Sequence, residues 1–325
     1  MILVTGASGF LGGRLAQILV ERGEAVRVLA RPTSDLRHLD GLPVEVVRGD
    51  AAGAAKGVTH IYHCAGCATD WAPWHTYYEA NVAGVDELLR AAAGVKGLRR
   101  FVHVSTTDIY GYPRVPCDES HPAVETGLPY NRTKYMGEAR VWLAARETGL
   151  PVTVVRPATI YGPRGKAFVT DIAKLIRQGL MAVIGGGRAT GGFCYVDNAA
   201  EGMIQACSAT EAIGRAYNLA DGTGATWRRY VDALADGLGL RRPWIDLPTP
   251  AAVALAHLME APHRWLRIPG RPLLTRHAVM LLSRDQEYPI ERARREFGFA
   301  PAVPFEEGIA RSVAWVQGLK PGRSA

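Results

Sequence analysis

The feature that most constrains the fold stands at the N-terminus. Ile2-Leu3-Val4-Thr5 runs directly into Gly6-Ala7-Ser8-Gly9-Phe10-Leu11-Gly12. The apolar run predicts a strand, and glycines at 6, 9 and 12 allow a tight turn to pass straight into a helix starting at Phe10. Such a turn aims the free N–H groups of a helix end at a phosphate. It also commits the chain to strands alternating with helices. Further apolar runs at 25–30, 44–47, 59–63, 101–105 and 152–156 continue the strands, with helical patterns at 10–22, 77–93 and 129–148. The strands are apolar rather than alternating, which predicts a parallel sheet buried on both faces. The expected fold is doubly wound α/β, with its ligand at the carboxyl ends of the strands.

After Gly162-Pro163 the rhythm changes. Residues 168–178 read as a helix, 185–187 as a turn, 193–196 as a short strand, 199–207 as a helix and 216–219 as a last strand. From about 226 onward the pattern is mainly helical, including an Ala-, Leu-, Trp- and Pro-rich stretch at 250–284. The expected organisation is a dinucleotide-binding domain over 1–165, with segments returning near 190–222. A smaller, mainly helical substrate domain takes 166–189 and 223–325. With 48% hydrophobic and 21% charged residues, the 325-residue chain has material for a large core. It lacks the run of roughly 18 apolar residues that spans a bilayer, although a peripheral membrane contact stays open. There is no secretory leader pattern, and the five cysteines (Cys64, Cys67, Cys117, Cys194, Cys207) are an odd number. Both facts predict reduced thiols and a cytoplasmic setting. Cys64-Ala65-Gly66-Cys67 lacks a second ligand pair, so no metal site is expected. The net charge of +7 comes from scattered basic residues, which argues against nucleic acid.

The end of the second strand bears on the choice of nicotinamide cofactor. Ala30 is followed by Arg31, with Thr33 and Ser34 close behind. A guanidinium suits a 2′-phosphate, where an acid would bind a ribose hydroxyl. NADP is therefore favoured over NAD. Asp50, with Ala51 after it, is placed to meet the adenine edge, and Cys64, Ala65 and Gly66 pass the ribose. Tyr130 and Lys134 stand four residues apart on one helix face. A tyrosine is a weak acid–base catalyst at its ordinary pKa of about 10, and the Lys134 ammonium is expected to lower it. Hydroxyls of Ser105, Thr106 and Thr107, with Asp108, end the fifth strand and point into the crevice. Asn81 would join a proton relay or pin the backbone. Trp71, Trp74, Tyr77 and Tyr78 follow the fourth strand as candidate substrate contacts, with ordinary core packing as the alternative.

These pieces together resemble an extended short-chain dehydrogenase/reductase of the NAD-dependent epimerase/dehydratase superfamily. The matching motifs are T-G-A-S-G-F-L-G, H-C-A-G, N-V-A-G at 81–84, V-S-T-T-D-I-Y-G at 104–111, Y-N-R-T-K, R-P-A-T-I-Y-G-P at 156–163 and Y-V-D-N-A-A at 195–200. The resemblance implies a Rossmann-type fold, with Thr106 bonded to the substrate carbonyl, Tyr130 as acid–base and Lys134 as its partner. Pro157, Thr159 and Ile160 would lie near the nicotinamide. Many members act on nucleotide sugars and carry an Arg where this chain has Gly191, an Asn where it has Thr159, and, in the 4,6-dehydratases, Asp-Glu where it has Thr107-Asp108. The segments at 269–276 and 288–299 are similar instead to the 3β-hydroxysteroid and sterol-carboxylate dehydrogenase branch, which includes reductases of long-chain β-keto acids.

The resulting expectation is an oxidoreductase interconverting a ketone and a secondary alcohol on a hydrophobic substrate: a steroid, terpenoid, polyketide or β-keto acid. A nucleotide-sugar epimerase or dehydratase with retained cofactor is the alternative, and Asp108 would be its base. A cofactor-sensing regulator is a third class, opposed by the intact Thr106, Tyr130 and Lys134. A homodimer is compatible with the chain.

Overall fold

The computed structural model of the protein describes residues 1–113, 115–266 and 268–319. The first half alternates as the sequence predicts: β1 (Ile2–Thr5), α1 (Phe10–Glu21), β2 (Val26–Ala30), β3 (Val44–Arg48), α2 (Ala51–Ala55), β4 (His60–His63), α3 (Trp74–Tyr78), α4 (Gly84–Ala93), β5 (Arg100–Val104), α5 (Pro129–Thr148) and β6 (Val152–Pro157). Then come β7 (Thr159–Tyr161), α6 (Asp171–Arg177), β8 (Ala182–Ile184), β9 (Phe193–Tyr195), α7 (Val196–Ser208) and β10 (Arg215–Leu219). The C-terminal part holds α8 (Trp227–Gly237), β11 (Ile245–Leu247), α9 (Thr249–Trp265), α10 (Arg276–Ser283), α11 (Glu291–Phe297) and α12 (Phe305–Gly318).

Seven parallel strands form the central sheet in the order β10-β6-β5-β4-β1-β2-β3. The chain winds outward from β1 on both sides, so the order reverses between β1 and β4. That reversal opens the crevice where doubly wound sheets bind ligands. One sheet face packs on α1 and α7, through Leu15, Leu19, Ala199 and Met203. The other packs on α2, α4 and α5, through Ala54, Leu88 and Val141. The fold is Rossmann-like with a helical C-terminal region, as the sequence predicts.

Three expectations need correction. β3 is an edge strand, and Val46 is 42% exposed rather than buried on both faces. The helix expected over 77–93 starts at Trp74 and is interrupted by a π-helical turn at Glu79–Ala83. The three-residue strands β7, β8 and β11 fall where the sequence reading marks no strand. β7 and β9 pair beside the main sheet and carry Tyr161, Phe193 and Tyr195 into an aromatic cluster with Trp227, Tyr230 and Phe305. Phe193 and Tyr230 are stacked at 4.3 Å. No helix among the described residues is long and apolar enough to cross a membrane.

Candidate active site

The glycine turn leaves no room for a side chain at positions 6 and 12. Gly6 has φ +70°, and a Cβ there would lie 2.6 Å from the Ala65 nitrogen and from the Cys64 carbonyl carbon. A Cβ on Gly12 would lie 2.5 Å from the Gly6 oxygen, so the start of α1 presses directly on the turn. Gly9 caps α1 without a side-chain hydrogen bond, so the first N–H groups of the helix remain available to a phosphate. Ser8, Phe10 and Leu11 surround that end. This cradle fits a dinucleotide. Two residues the sequence reading missed close its rim. His38 Nε2 lies 2.8 Å from the Ala7 oxygen. Arg164, held at a left-handed φ of +69°, brings its guanidinium beside Gly13. Burial pushes the Arg164 guanidinium down from its ordinary value.

At the end of β2, Arg31 is exposed. Arg48 shapes the loop that follows, donating from Nη1 to the carbonyls of Arg31, Pro32 and Ser34 at 3.0, 3.1 and 3.2 Å. Asp50 caps α2, accepting from Gly53 N at 2.8 Å, with Ala51 buried behind it. Asn81 sits in the π-helical turn, where such irregularities often mark functional sites. Its Oδ1 accepts from Cys67 N at 2.8 Å, and its Nδ2 donates to Cys67 O and Thr133 Oγ1 at 3.1 Å each. The amide thus ties the backbone of Cys67, which follows Cys64, Ala65 and Gly66, to α5. Burial pushes the Cys64 thiol up to about 12, against thiolate chemistry at Cys64-x-x-Cys67.

Thr106, Tyr130 and Lys134 converge at the ends of β5 and α5. Thr106 Oγ1 accepts from Asp108 N at 3.2 Å, and Lys134 Nζ donates to the Val104 oxygen at 2.7 Å. Burial draws the Lys134 ammonium down to about 8, against Glu138 and Cys64. One expectation is reversed here: the Tyr130 phenol is pushed up rather than down. Burial is the main cause and the Asp108 charge adds to it, while Thr106 acts in the opposite sense. A low-dielectric cleft disfavours a phenolate, and the Lys134 ammonium is turned onto the Val104 carbonyl. Behind the site, Glu138 and Arg156 form a buried ion pair, extended by Trp142 Nε1 to Glu138 at 3.0 Å and Arg156 Nη1 to Tyr110 Oη at 2.9 Å.

After β4, Trp71 is half-buried and Trp74 is 42% exposed. Trp71 meets the His263 ring edge-on at 6.1 Å with the Arg264 guanidinium 5.6 Å away, and Arg132 lies 5.2 Å over Trp74. Tyr77 is core. Leu258 within α9 and Trp265 and Leu266 at its end are 70%, 85% and 74% exposed. Pro157, Thr159 and Ile160 continue from β6 into β7. Thr107 and Asp108 are buried beneath Tyr130. The sequence reading missed the residues that cover them. His277 Nε2 lies 3.0 Å from Asp108 Oδ2, and Tyr112 Oη donates to the same oxygen at 2.6 Å. Asp70 accepts from Arg271 at 2.7 and 2.6 Å and from Thr275 Oγ1 at 2.7 Å, anchoring the start of α10. A histidine on an apolar helix carries no signal that a carboxylate in the other half of the chain faces it.

A glycine cradle at a sheet reversal, with a Thr/Tyr/Lys group beside it, defines a nicotinamide-dependent oxidoreductase. The chain belongs to the NAD dependent epimerase/dehydratase family, which matches residues 2–220. It is 34% identical to 2-alkyl-3-oxoalkanoate reductase of Stenotrophomonas maltophilia (strain K279a), over 95% of this chain and 97% of that protein. It is 27% identical to 3beta-hydroxysteroid-dehydrogenase/decarboxylase isoform 1 of Arabidopsis thaliana, over 98% of this chain and 80% of that protein. The crystal structure of UDP-glucuronic acid 4-epimerase from Bacillus cereus in complex with NAD superimposes with a TM-score of 0.77 at 22% identity, covering 97% of this chain and 98% of that one. That likeness is one of fold.

Proposed function

We propose that this enzyme interconverts a ketone and a secondary alcohol on a large hydrophobic substrate, with NADP as the preferred cofactor. The observation that carries the substrate class is Gly191. A Cβ there would lie 2.2 Å from the Phe193 ring. That ring is locked against Tyr230 and Trp227, so the core leaves no room for a basic side chain to grip a sugar diphosphate. Leaving phosphate charges unpaired in a cleft is costly. An apolar substrate instead gains about 25 cal/mol per Å² buried, and Trp71 and Trp74 after β4 offer such surface. The reductase and dehydrogenase names of the relatives support the same direction.

The cofactor, when bound, supplies or accepts the hydride. Gly6, Ser8, Gly9, Phe10, Leu11 and Gly12 would hold its diphosphate, with Cys64, Ala65 and Gly66 along the ribose. Asp50 and Ala51 would flank the adenine, and Pro157, Thr159 and Ile160 the nicotinamide. Thr106 bonds the substrate oxygen. Tyr130 donates the proton to that oxygen in reduction and removes it in oxidation, and Lys134 orients the ribose beside it. Residues 1–165 with 190–222 serve the cofactor, while 166–189 and 223–325 serve the substrate. A phenol held above its ordinary pKa is protonated at neutral pH, which suits the reducing direction.

Purified protein assayed with NADPH against steroid, β-keto acid and UDP- or dTDP-sugar substrates tests this reading. Consumption of NADPH with an apolar ketone is expected. Epimerisation or dehydration of a sugar without NADPH consumption would overturn it in favour of the nucleotide-sugar alternative.

Cofactor preference has its own test. Arg31, with Ser34 beside it, is the group proposed to meet the 2′-phosphate. Arg31→Glu is expected to reverse the order of NADP(H) and NAD(H) affinity. A lost charge-assisted contact is worth about 1.5–3 kcal/mol, or roughly ten- to a hundredfold. Equal wild-type affinities by calorimetry would remove Arg31 from the site.

A further inference from the structure

The cluster that the proposed chemistry leaves unused is His277, Asp108 and Tyr112. Asp108 is buried two residues beyond Thr106, and both Tyr112 Oη and His277 Nε2 converge on its Oδ2 at 2.6 and 3.0 Å. The His277 ring lies over the Tyr130 ring with centroids 5.5 Å apart and planes 21° apart, a stacked arrangement. Asn131, next to Tyr130, donates to the Asp108 carbonyl at 2.6 Å. The reactive tyrosine is thus joined to Asp108 through its own helix and covered by the partner of the Asp108 carboxylate from α10.

We propose that His277 is a positioning residue for Tyr130, holding the phenol in place by stacking and offsetting the Asp108 charge that faces it. The proposal rests on the reading of Tyr130 as the acid–base residue.

The groups that face His277 are Asp108 and Tyr112 from the segment after β5, Tyr130 from α5, Asp70 from the loop after β4, and Arg271 ahead of α10. Burial and Arg271 oppose an imidazolium, but the hydrogen bond and charge of Asp108, with Asp70, outweigh them, and the net direction is upward. The His277 imidazole is therefore drawn toward its protonated form, and an imidazolium there offsets the Asp108 charge that opposes ionisation of Tyr130. If the imidazolium is removed and the carboxylate kept, Tyr130 faces an uncompensated negative charge that opposes its ionisation.

The test is a double-mutant cycle read in the alcohol-oxidising direction, which needs the tyrosine deprotonated. His277→Gln keeps a donor toward Asp108 but removes ring and charge. Its acid limb in the pH profile of kcat/KM is expected to move to higher pH. Oxidation at pH 7 should fall about tenfold, the size of one pKa unit, with NADP(H) affinity unchanged. Asp108→Asn/His277→Gln removes both charges and is expected to bring the limb back toward the wild-type position. Asp108→Asn alone, which leaves the ring over Tyr130 and removes the opposing carboxylate, is expected to move the limb to lower pH, and it provides a readout if His277→Gln does not fold. A merely structural role would lower kcat in all three variants with the limb in place, and that result would overturn the proposal. Tyr130→Phe separates the two readings. An active Tyr130→Phe enzyme refutes the acid–base assignment. An inactive one combined with an unmoved His277→Gln limb refutes the role of His277 alone.

Discussion

Tyr130→Phe is expected to cut turnover by roughly 10²–10⁴-fold, the scale of a lost general acid, while leaving cofactor binding nearly intact. The ring remains, so the stacking on His277 is retained, and only the proton is lost. Thr106 and Lys134 keep their own bonds, to Asp108 N and Val104 O, so little else rearranges. Steady-state rates and a calorimetric affinity for NADP(H) check both halves. Lys134→Ala is expected to weaken the cofactor as well, because its ammonium is the group proposed to reach the ribose. Retention of most activity by Tyr130→Phe would refute the mechanism proposed here.

Glu138→Ala is expected to destabilise the fold by about 3–5 kcal/mol, the cost of stripping one partner from a buried ion pair. Glu138 and Arg156 have side chains only 6% and 9% exposed. Loss of the carboxylate leaves the Arg156 guanidinium to Tyr110 alone, whose hydroxyl in turn donates to Asn218 at 2.8 Å. Chemical denaturation at neutral pH measures the effect. Burial raises the Glu138 carboxyl, but Arg156, Ser105 and Trp142 outweigh it and hold it below its ordinary value. A depressed carboxyl contributes its stability in full above the unfolded value and loses it as pH falls through the folded one. The wild type should therefore carry the whole contribution at neutral pH and shed it only in acid below the usual glutamate range. A Glu138→Ala protein as stable as the wild type would remove this pair from the core. The same substitution also removes a charge that supports the Lys134 ammonium one turn away, so the ammonium should titrate lower still.

The sheet and the cofactor cradle were legible because their determinants are local. Each long strand is an apolar run closed by a turn, and Gly6, Gly9 and Gly12 announce their backbone demands in seven residues. Tyr130 and Lys134 were legible for the same reason, one helical turn apart. Nothing in the sequence around Asn81 announces its three bonds to Cys67 and Thr133. What escaped depends on contacts across the chain. The upward push on Tyr130 comes from burial and from Asp108, neither of which spacing reveals. Gly191 reads as a missing arginine, but the reason it stays small is the Phe193 ring and the aromatics behind it. Arg164 and His38 reach the glycine turn from loops whose paths no periodicity describes.

The return of α10 to the far half of the chain also sets an order of events during synthesis. Asp108 and His277 are 169 positions apart. At about 5–20 residues per second, a ribosome needs roughly ten to thirty seconds to cover that distance. The bonds of Arg271 and Thr275 to Asp70, of Cys117 N to the Glu287 oxygen and of Asn218 Nδ2 to the Pro289 oxygen wait for the same stretch. From the start of that interval the nascent chain holds β1 to β5 and the glycines of the turn, and β6 follows within it. It lacks the wall that covers Asp108. Synthesis of the glycine turn and completion of the wall over Asp108 are thus separated in time, and a chain terminated just ahead of α10 would carry the central sheet with that flank open.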